Sequence, residues 1–180
     1  LPHSRTFEHL SRLYAASDDP WGHRTSRYEA AKFDATIAAL GPDRFHDALE
    51  IGCGNGTLAA RLAPHCDKLT LVECIPAAVA SARAAVPQAT VLQGTAPADL
   101  PDMRPDLVLL SEVLYFMTED GVVTLGQWLR RNAQGPVIAV NWTGPTDEDL
   151  DGDAAIRVLS TVLGAPRTVT HDCFRIDRFD

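Results

Sequence analysis

Apolar positions along this chain switch between a period of two and a period near three and a half. Residues 6–16 and 25–40 carry the helical period, and in the second segment Tyr28, Ala31, Phe33, Ile37 and Leu40 form the apolar stripe. Gly41-Pro42 ends that helix, and Ser17-Asp18-Asp19-Pro20-Trp21-Gly22 reads as the loop between the two. Beyond residue 46, short apolar runs alternate with helical stretches. Strands are predicted over 47–51, 68–73, 90–93, 106–111, 136–141, 167–171 and 174–179, and helices over 57–64, 76–85, 119–131 and 153–163. Pro76 suits a first helical turn. This alternation predicts an α/β fold with a mostly parallel sheet. The last two strands are nearly contiguous and predict an antiparallel hairpin at the sheet edge. Without a linker, repeat or low-complexity stretch, residues 1–180 read as one domain, with 1–40 a helical segment ahead of the 47–180 core.

Charge and composition narrow the partners. The 180 residues carry a net charge of −8 and no basic run. That excludes a nucleic-acid partner, whose phosphates demand clustered Lys and Arg, and an anionic membrane surface. A neutral or cationic small molecule fits better. No apolar stretch approaches the roughly 20 residues that span a bilayer, and no apolar segment follows Leu1-Pro2-His3-Ser4-Arg5, so a leader peptide is not expected. Cys53, Cys66, Cys74 and Cys173 form no Cys-x-x-Cys pair, which predicts free thiols in a reducing cytoplasm and no metal site. The acidic run Asp147-Glu148-Asp149-Leu150-Asp151-Gly152-Asp153 lacks the calcium-loop pattern and reads as a solvated, mobile surface. A monomer or homodimer is expected.

The candidate chemistry begins at residues 47–56. The strand Ala48-Leu49-Glu50-Ile51 runs into Gly52, Gly54 and Gly56, and a helical pattern follows from Thr57. Glycines there let the backbone lie against a ligand, and the helix behind offers free N–H groups. The spacing is Gly-x-Gly-x-Gly; the dinucleotide fingerprint would need glycine where Thr57 stands. That difference points away from NAD and toward S-adenosyl-L-methionine. Glu73 ends the second strand about 20 residues later, where α/β nucleotide sites place the carboxylate that accepts ribose hydroxyls.

With these elements in place, the chain resembles the class I S-adenosylmethionine-dependent methyltransferases. Asp18-Asp19-Pro20-Trp21, Ala48 to Cys53, Leu62 to Cys66, and Ser111-Glu112-Val113-Leu114-Tyr115 narrow the resemblance to the rhizobial nodulation methyltransferases, which N-methylate an amino sugar of a chitooligosaccharide signal. The resemblance implies a Rossmann-like fold: a seven-stranded, mostly parallel sheet with a terminal antiparallel hairpin and helices on both faces. It also implies residue roles. Gly52, Cys53 and Gly54 pass under the methionine part of the cofactor, with Glu50 beside them. Glu73 binds ribose, Ile75 with Cys74 packs on adenine, and Gly94, Thr95 and Ala96 close the adenine end. Many relatives carry an acid at the position of Thr95, so adenine is held more weakly here. Ser111 stands beside the sulfonium, and Trp21 and Tyr28 fold over the cofactor as part of a lid.

Methyl transfer from a sulfonium is an in-line displacement that depends mainly on positioning. An aliphatic amine is mostly protonated near neutral pH, so its lone pair must be freed. Glu112, at the carboxyl end of the fourth strand, is the candidate to bind the ammonium and relay its proton. Tyr115 orients the acceptor, while Asn141 and Trp142 supply a hydrogen-bonding and stacking wall. His171 reads as structural. The favoured reading is N-methylation of a small-molecule amine. An O-methyltransferase would want a histidine or metal as base, and none stands out beside Glu112. An NAD(P)-dependent oxidoreductase is disfavoured by Thr57 and by the lack of a Tyr-x-x-x-Lys set.

Overall fold

The computed structural model describes residues 4–180, so the leader expectation drawn from Leu1, Pro2 and His3, and the start of the 1–40 segment, lie outside the described residues. Two helices come first, α1 (Ser4–Ala16) and α2 (Arg27–Ala39). Ser26 caps α2 by accepting the Glu29 N–H. The core then alternates β1 (Phe45–Ile51), α3 (Thr57–Leu62), β2 (Cys66–Glu73), α4 (Pro76–Ala85), β3 (Thr90–Gln93), β4 (Leu107–Ser111), α5 (Glu119–Asn132), β5 (Val137–Trp142), α6 (Gly152–Leu163), β6 (Arg167–Thr170) and β7 (Phe174–Phe179). The predicted third helix is cut short at Leu62; Pro64 sits in a 3-10 turn over Ala63–His65 that leads directly into β2.

The strands form one seven-stranded sheet in the order β3-β2-β1-β4-β5-β7-β6. The four pairs from β3 to β5 are parallel, and β7 runs antiparallel to both β5 and β6, the latter as the short link between them demands. β4 and β5 read as continuous apolar runs because both their faces are covered. Alternation along β4 sends Leu107 and Leu109 to the face shared with Phe33, Leu62 and Val79, and Val108 and Leu110 to the face packed by α5 and α6. Strand order reverses between β1 and β4, which lie side by side with Ile51 opposite Leu110. The carboxyl ends at such a reversal open a crevice, and the glycine turn leaves β1 into it.

The phase of α2 differs from the predicted stripe. Its buried side is Glu29, Lys32, Phe33 and Thr36, while Tyr28 and Ala31 are exposed. The helical period is right, but two of the inward positions are charged. The acidic run is also more than a solvated surface. Glu148 accepts a 2.7 Å hydrogen bond from the Thr6 hydroxyl of α1, Asp151 caps α6 at the Ala154 N–H, and Asp153 pairs with Arg175.

Candidate active site

A cavity of about 510 Å³ opens at the carboxyl ends of β1, β2 and β4, roofed by α1, α2 and the loop after β5. One end is built by the glycine turn. Gly52 has φ +75°, and a Cβ there would meet Val113 at 2.6 Å, so only glycine lets the turn pass under that side chain. Gly56 acts elsewhere. A Cβ on it would strike the Ala82 backbone at 2.9 Å, so this glycine seats α3 against α4 and does not line the cavity.

Glu73 is buried against the turn. One carboxylate oxygen accepts the Gly54 N–H and the other the Ile75 N–H, each at 2.9 Å. The acid therefore ties the glycine turn to the start of α4. Ile75, Cys74, Gly94, Thr95 and Ala96 line the same end. The Thr95 N–H is taken by Asp99, whose carboxylate lies 2.9 Å away at the surface. Glu50 reaches the cavity from β1 and is 1% exposed, with one carboxyl oxygen buried and unpartnered among the described residues. Burial, with Glu73 adding to it, pushes its pKa up to about 8. Burial, with Glu50 and Glu73 contributing, likewise drives the Cys53 thiol up, so Cys53 is inert wall.

The other end is organised around Glu112. This residue has φ +54°, an unusual conformation for a side-chain-bearing residue and one that costs about 1–3 kcal/mol. The left-handed step turns the carboxylate across the sheet end toward β5. There one oxygen accepts the Tyr115 hydroxyl at 2.7 Å and the Trp142 N–H at 2.9 Å. The other oxygen accepts Lys32 Nζ at 2.8 Å. Lys32 also bonds Glu29 at 3.1 Å and lies 5.3 Å over the Tyr28 ring. Burial, with Glu112 next, drives the Tyr115 hydroxyl far above its ordinary pKa, so it stays a donor.

Three residues of this site escaped the sequence reading: Lys32, Glu29 and His23. Lys32 and Glu29 offered only an acid and a base three apart on one helix, a pair that the apolar stripe placed on the solvent side. His23 gave no signal; it lies in the loop before α2, stacked on Trp21 at 5.8 Å and edge-on to Phe33 at 5.6 Å. Burial pulls the His23 imidazole below its ordinary pKa, Lys32 adds to that, and Glu29, Asp19 and Asn55 oppose it. A histidine does therefore line the cavity that holds Glu112.

Two placements differ from expectation. Asn141 does not reach the cavity: it is fully buried, both side-chain amide atoms lack a partner among the described residues, and a Cβ on Gly152 of α6 would sit 2.9 Å from its Cβ. Adjacent strand residues point to opposite faces, so Asn141 and Trp142 cannot both wall one site; Trp142 does, and Asn141 lies under α6. Tyr28 stands apart from Trp21. It meets Trp142 and Phe174 edge-on, each at 6.1 Å, whereas Trp21 packs on Tyr14 and His23 beside the glycine turn. Tyr28 belongs to the Glu112 end. Ser111 lines the cavity between the two ends, and His171 stacks on Phe174 at 4.3 Å, outside it.

The sheet order, the glycine turn at its reversal and the antiparallel end strands define the class I methyltransferase fold. Solved structures bear this out. The N-methyltransferase NodS from Bradyrhizobium japonicum in complex with S-adenosyl-L-homocysteine superposes with a TM-score of 0.84, at 21% identity over 97% of each chain. A putative methyltransferase from Pseudomonas syringae matches with a TM-score of 0.74, at 29% identity over 86% of this chain and 99% of that one. The family model for Nodulation protein S (NodS) matches residues 5–130, and the chain belongs to that family. Nodulation protein S of Rhizobium tropici is 30% identical over 138 residues, 72% of this chain and 56% of that protein. The Sinorhizobium fredii protein is 28% identical over 116 residues, 62% of this chain and 53% of its own length. The chain thus spans about half the length of the curated relatives it matches.

Proposed function

We propose that this chain transfers a methyl group from S-adenosyl-L-methionine to an amine of a small molecule, an amino sugar or related metabolite. The observation that carries the reading is one cavity with two unlike ends: a glycine turn tied to Glu73, and a cluster of carboxylates and aromatic rings around Glu112. The first end suits the cofactor. Glu73 and Ile75 suit contacts to ribose and adenine, and Glu50 lines the same cavity. NodS in complex with S-adenosyl-L-homocysteine and the DhpI–SAH complex have the same fold, which supports the choice of cofactor.

When bound, S-adenosylmethionine supplies an electrophilic methyl group for in-line displacement. The chain's own residues do the rest. Glu112, held by Tyr115 and the Trp142 N–H, and Glu29 across Lys32 make this end favour a cation. Tyr28 and Trp142 present rings against which the apolar face of a sugar can stack. The roof from α1 to Glu148 keeps water from the reacting atoms.

Calorimetry with S-adenosylmethionine, S-adenosylhomocysteine and NAD, followed by turnover on primary amines including glucosamine, tests the proposal. Hydroxyl acceptors belong in the panel because a neutral His23 would serve them as base. Binding of the two sulfur cofactors without NAD, with methylation of amines, is expected. NAD binding, or methylation of hydroxyl acceptors alone, overturns it.

A further inference from the structure

The carboxylate nearest the fourth strand has little capacity left. One oxygen of Glu112 already accepts two hydrogen bonds, and the other holds Lys32. Its partners Tyr115, the Trp142 N–H and Lys32 are all donors and fill three of its roughly four lone-pair sites. Glu29 differs. Only one of its oxygens holds Lys32; the other is buried without a hydrogen-bond partner among the described residues, and His23 Nε2 lies 3.7 Å from it. His23 lines the cavity, with its Cε1 4.0 Å from the Cβ position of Gly54 in the glycine turn. The charged groups that face the imidazole are Glu29 and Lys32 from α2 and Asp19 from its own loop, with Asn55 from the glycine turn. A ring left neutral by burial, with a carboxylate at its back, is the arrangement of a proton acceptor.

We infer that His23, backed by Glu29, is the proton acceptor for the acceptor amine, and that Glu112 is a positioning residue which holds Lys32, Tyr115 and Trp142. The inference rests on the amine reading above. The ammonium N–H bond breaks and its proton passes to the His23 imidazole. The freed lone pair forms the new nitrogen–carbon bond as the carbon–sulfur bond breaks, its electron pair staying on sulfur. The imidazolium, stabilised by Glu29, then returns the proton to solvent.

Two measurements test this, with glucosamine as probe and a wider set of primary amines as backup. The first is turnover against pH for the wild-type chain, His23→Gln and Glu29→Gln. His23→Gln should lose about 100-fold or more in kcat near neutral pH. The deficit should shrink as pH rises and the amine arrives already deprotonated, while affinity for S-adenosylhomocysteine stays within about threefold. Glu29→Gln should lose less and show the same recovery. The second is the His23 ring resonance in the protein loaded with S-adenosylhomocysteine. Adding the amine near neutral pH should move it toward the imidazolium position, and Glu29→Gln should abolish that movement. A wild-type pH profile in His23→Gln overturns the inference, as does an unmoved resonance. A loss of S-adenosylhomocysteine affinity greater than tenfold also overturns it, because His23 would then hold the cofactor. A wild-type chain that methylates no amine removes the functional reading itself; an active wild type with an unaffected variant removes only this step.

Discussion

Single residues here carry paired duties that no isolated position reveals. Glu73 is our proposed ribose acceptor, and its carboxylate also fixes the Gly54 and Ile75 N–H groups. Glu73→Gln keeps the shape and replaces one charged acceptor oxygen with an amide nitrogen. Affinity for S-adenosylhomocysteine should fall by about 1–3 kcal/mol, the scale of a charge-assisted hydrogen bond, and an unchanged dissociation constant would show the acid to be purely structural. Glu112 offsets a left-handed backbone with three side-chain hydrogen bonds and the Val140 carbonyl at its own N–H. Glu112→Gln should leave cofactor binding nearly intact and cut turnover by roughly 100-fold, because Lys32, Tyr115 and Trp142 lose the charge that gathers them. Turnover at the wild-type rate would mean that the cluster is packing alone.

Elements that look peripheral in the chain become the roof of the site. α1 and α2 precede the first strand and take no place in the sheet. They are joined to the core by polar latches: Thr6 to Glu148, Asn55 to Asp19, and Lys32 to Glu112. Apolar packing adds to these, with Leu10 and Tyr14 against Ile75 and Ala78 and Phe33 in the core, but segments outside the sheet open at lower cost than its central strands. We propose that this roof is a lid which orders on cofactor binding. Hydrogen exchange over residues 6–30 should slow when S-adenosylhomocysteine is added, while the amides of β4 and β5 stay slow throughout. Equal exchange in the lid with and without the cofactor product would argue for a fixed wall. The acidic run after β5 belongs to the same device, since Glu148 is one of the latches.

At the scale of the whole molecule, the burial that builds the site also makes stability depend on pH. Glu50 has its pKa raised from 4.5 to about 8 by burial and by Glu73. Between those two values the folded chain keeps a proton that the unfolded chain has released. The folded state therefore binds more protons there, and the Glu50 contribution falls as pH rises through that window and is flat below it. Glu50→Gln removes this slope. Denaturant unfolding at about pH 5 and about pH 9 should show the variant gaining stability relative to wild type at the higher pH, by an amount on the order of 1 kcal/mol or more. An identical pH slope in the two proteins would place the Glu50 proton elsewhere. Among the described residues no helix is long and apolar enough to cross a membrane.

What the sequence determined by itself was periodic or local. Strand and helix positions followed from runs of apolar residues, the hairpin from the short link between residues 170 and 174, and the cofactor end from glycines that only a close approach explains. These signals survive in one dimension because their causes act within a few residues. The Glu112 end survived only in part: Glu112, Tyr115 and Trp142 follow from the ends of β4 and β5, but Lys32 and Glu29 come from α2, with Lys32 and Glu112 eighty positions apart. The inward face of α2 was misjudged because burial there serves an ion pair, and hydrophobicity cannot register a buried charge that has partners. Asn141 was misplaced because adjacency along a strand is opposition across a sheet. His23 enters the site only because the fold sets its imidazole 3.7 Å from a buried Glu29 oxygen, a juxtaposition that exists in three dimensions and nowhere in the order of residues.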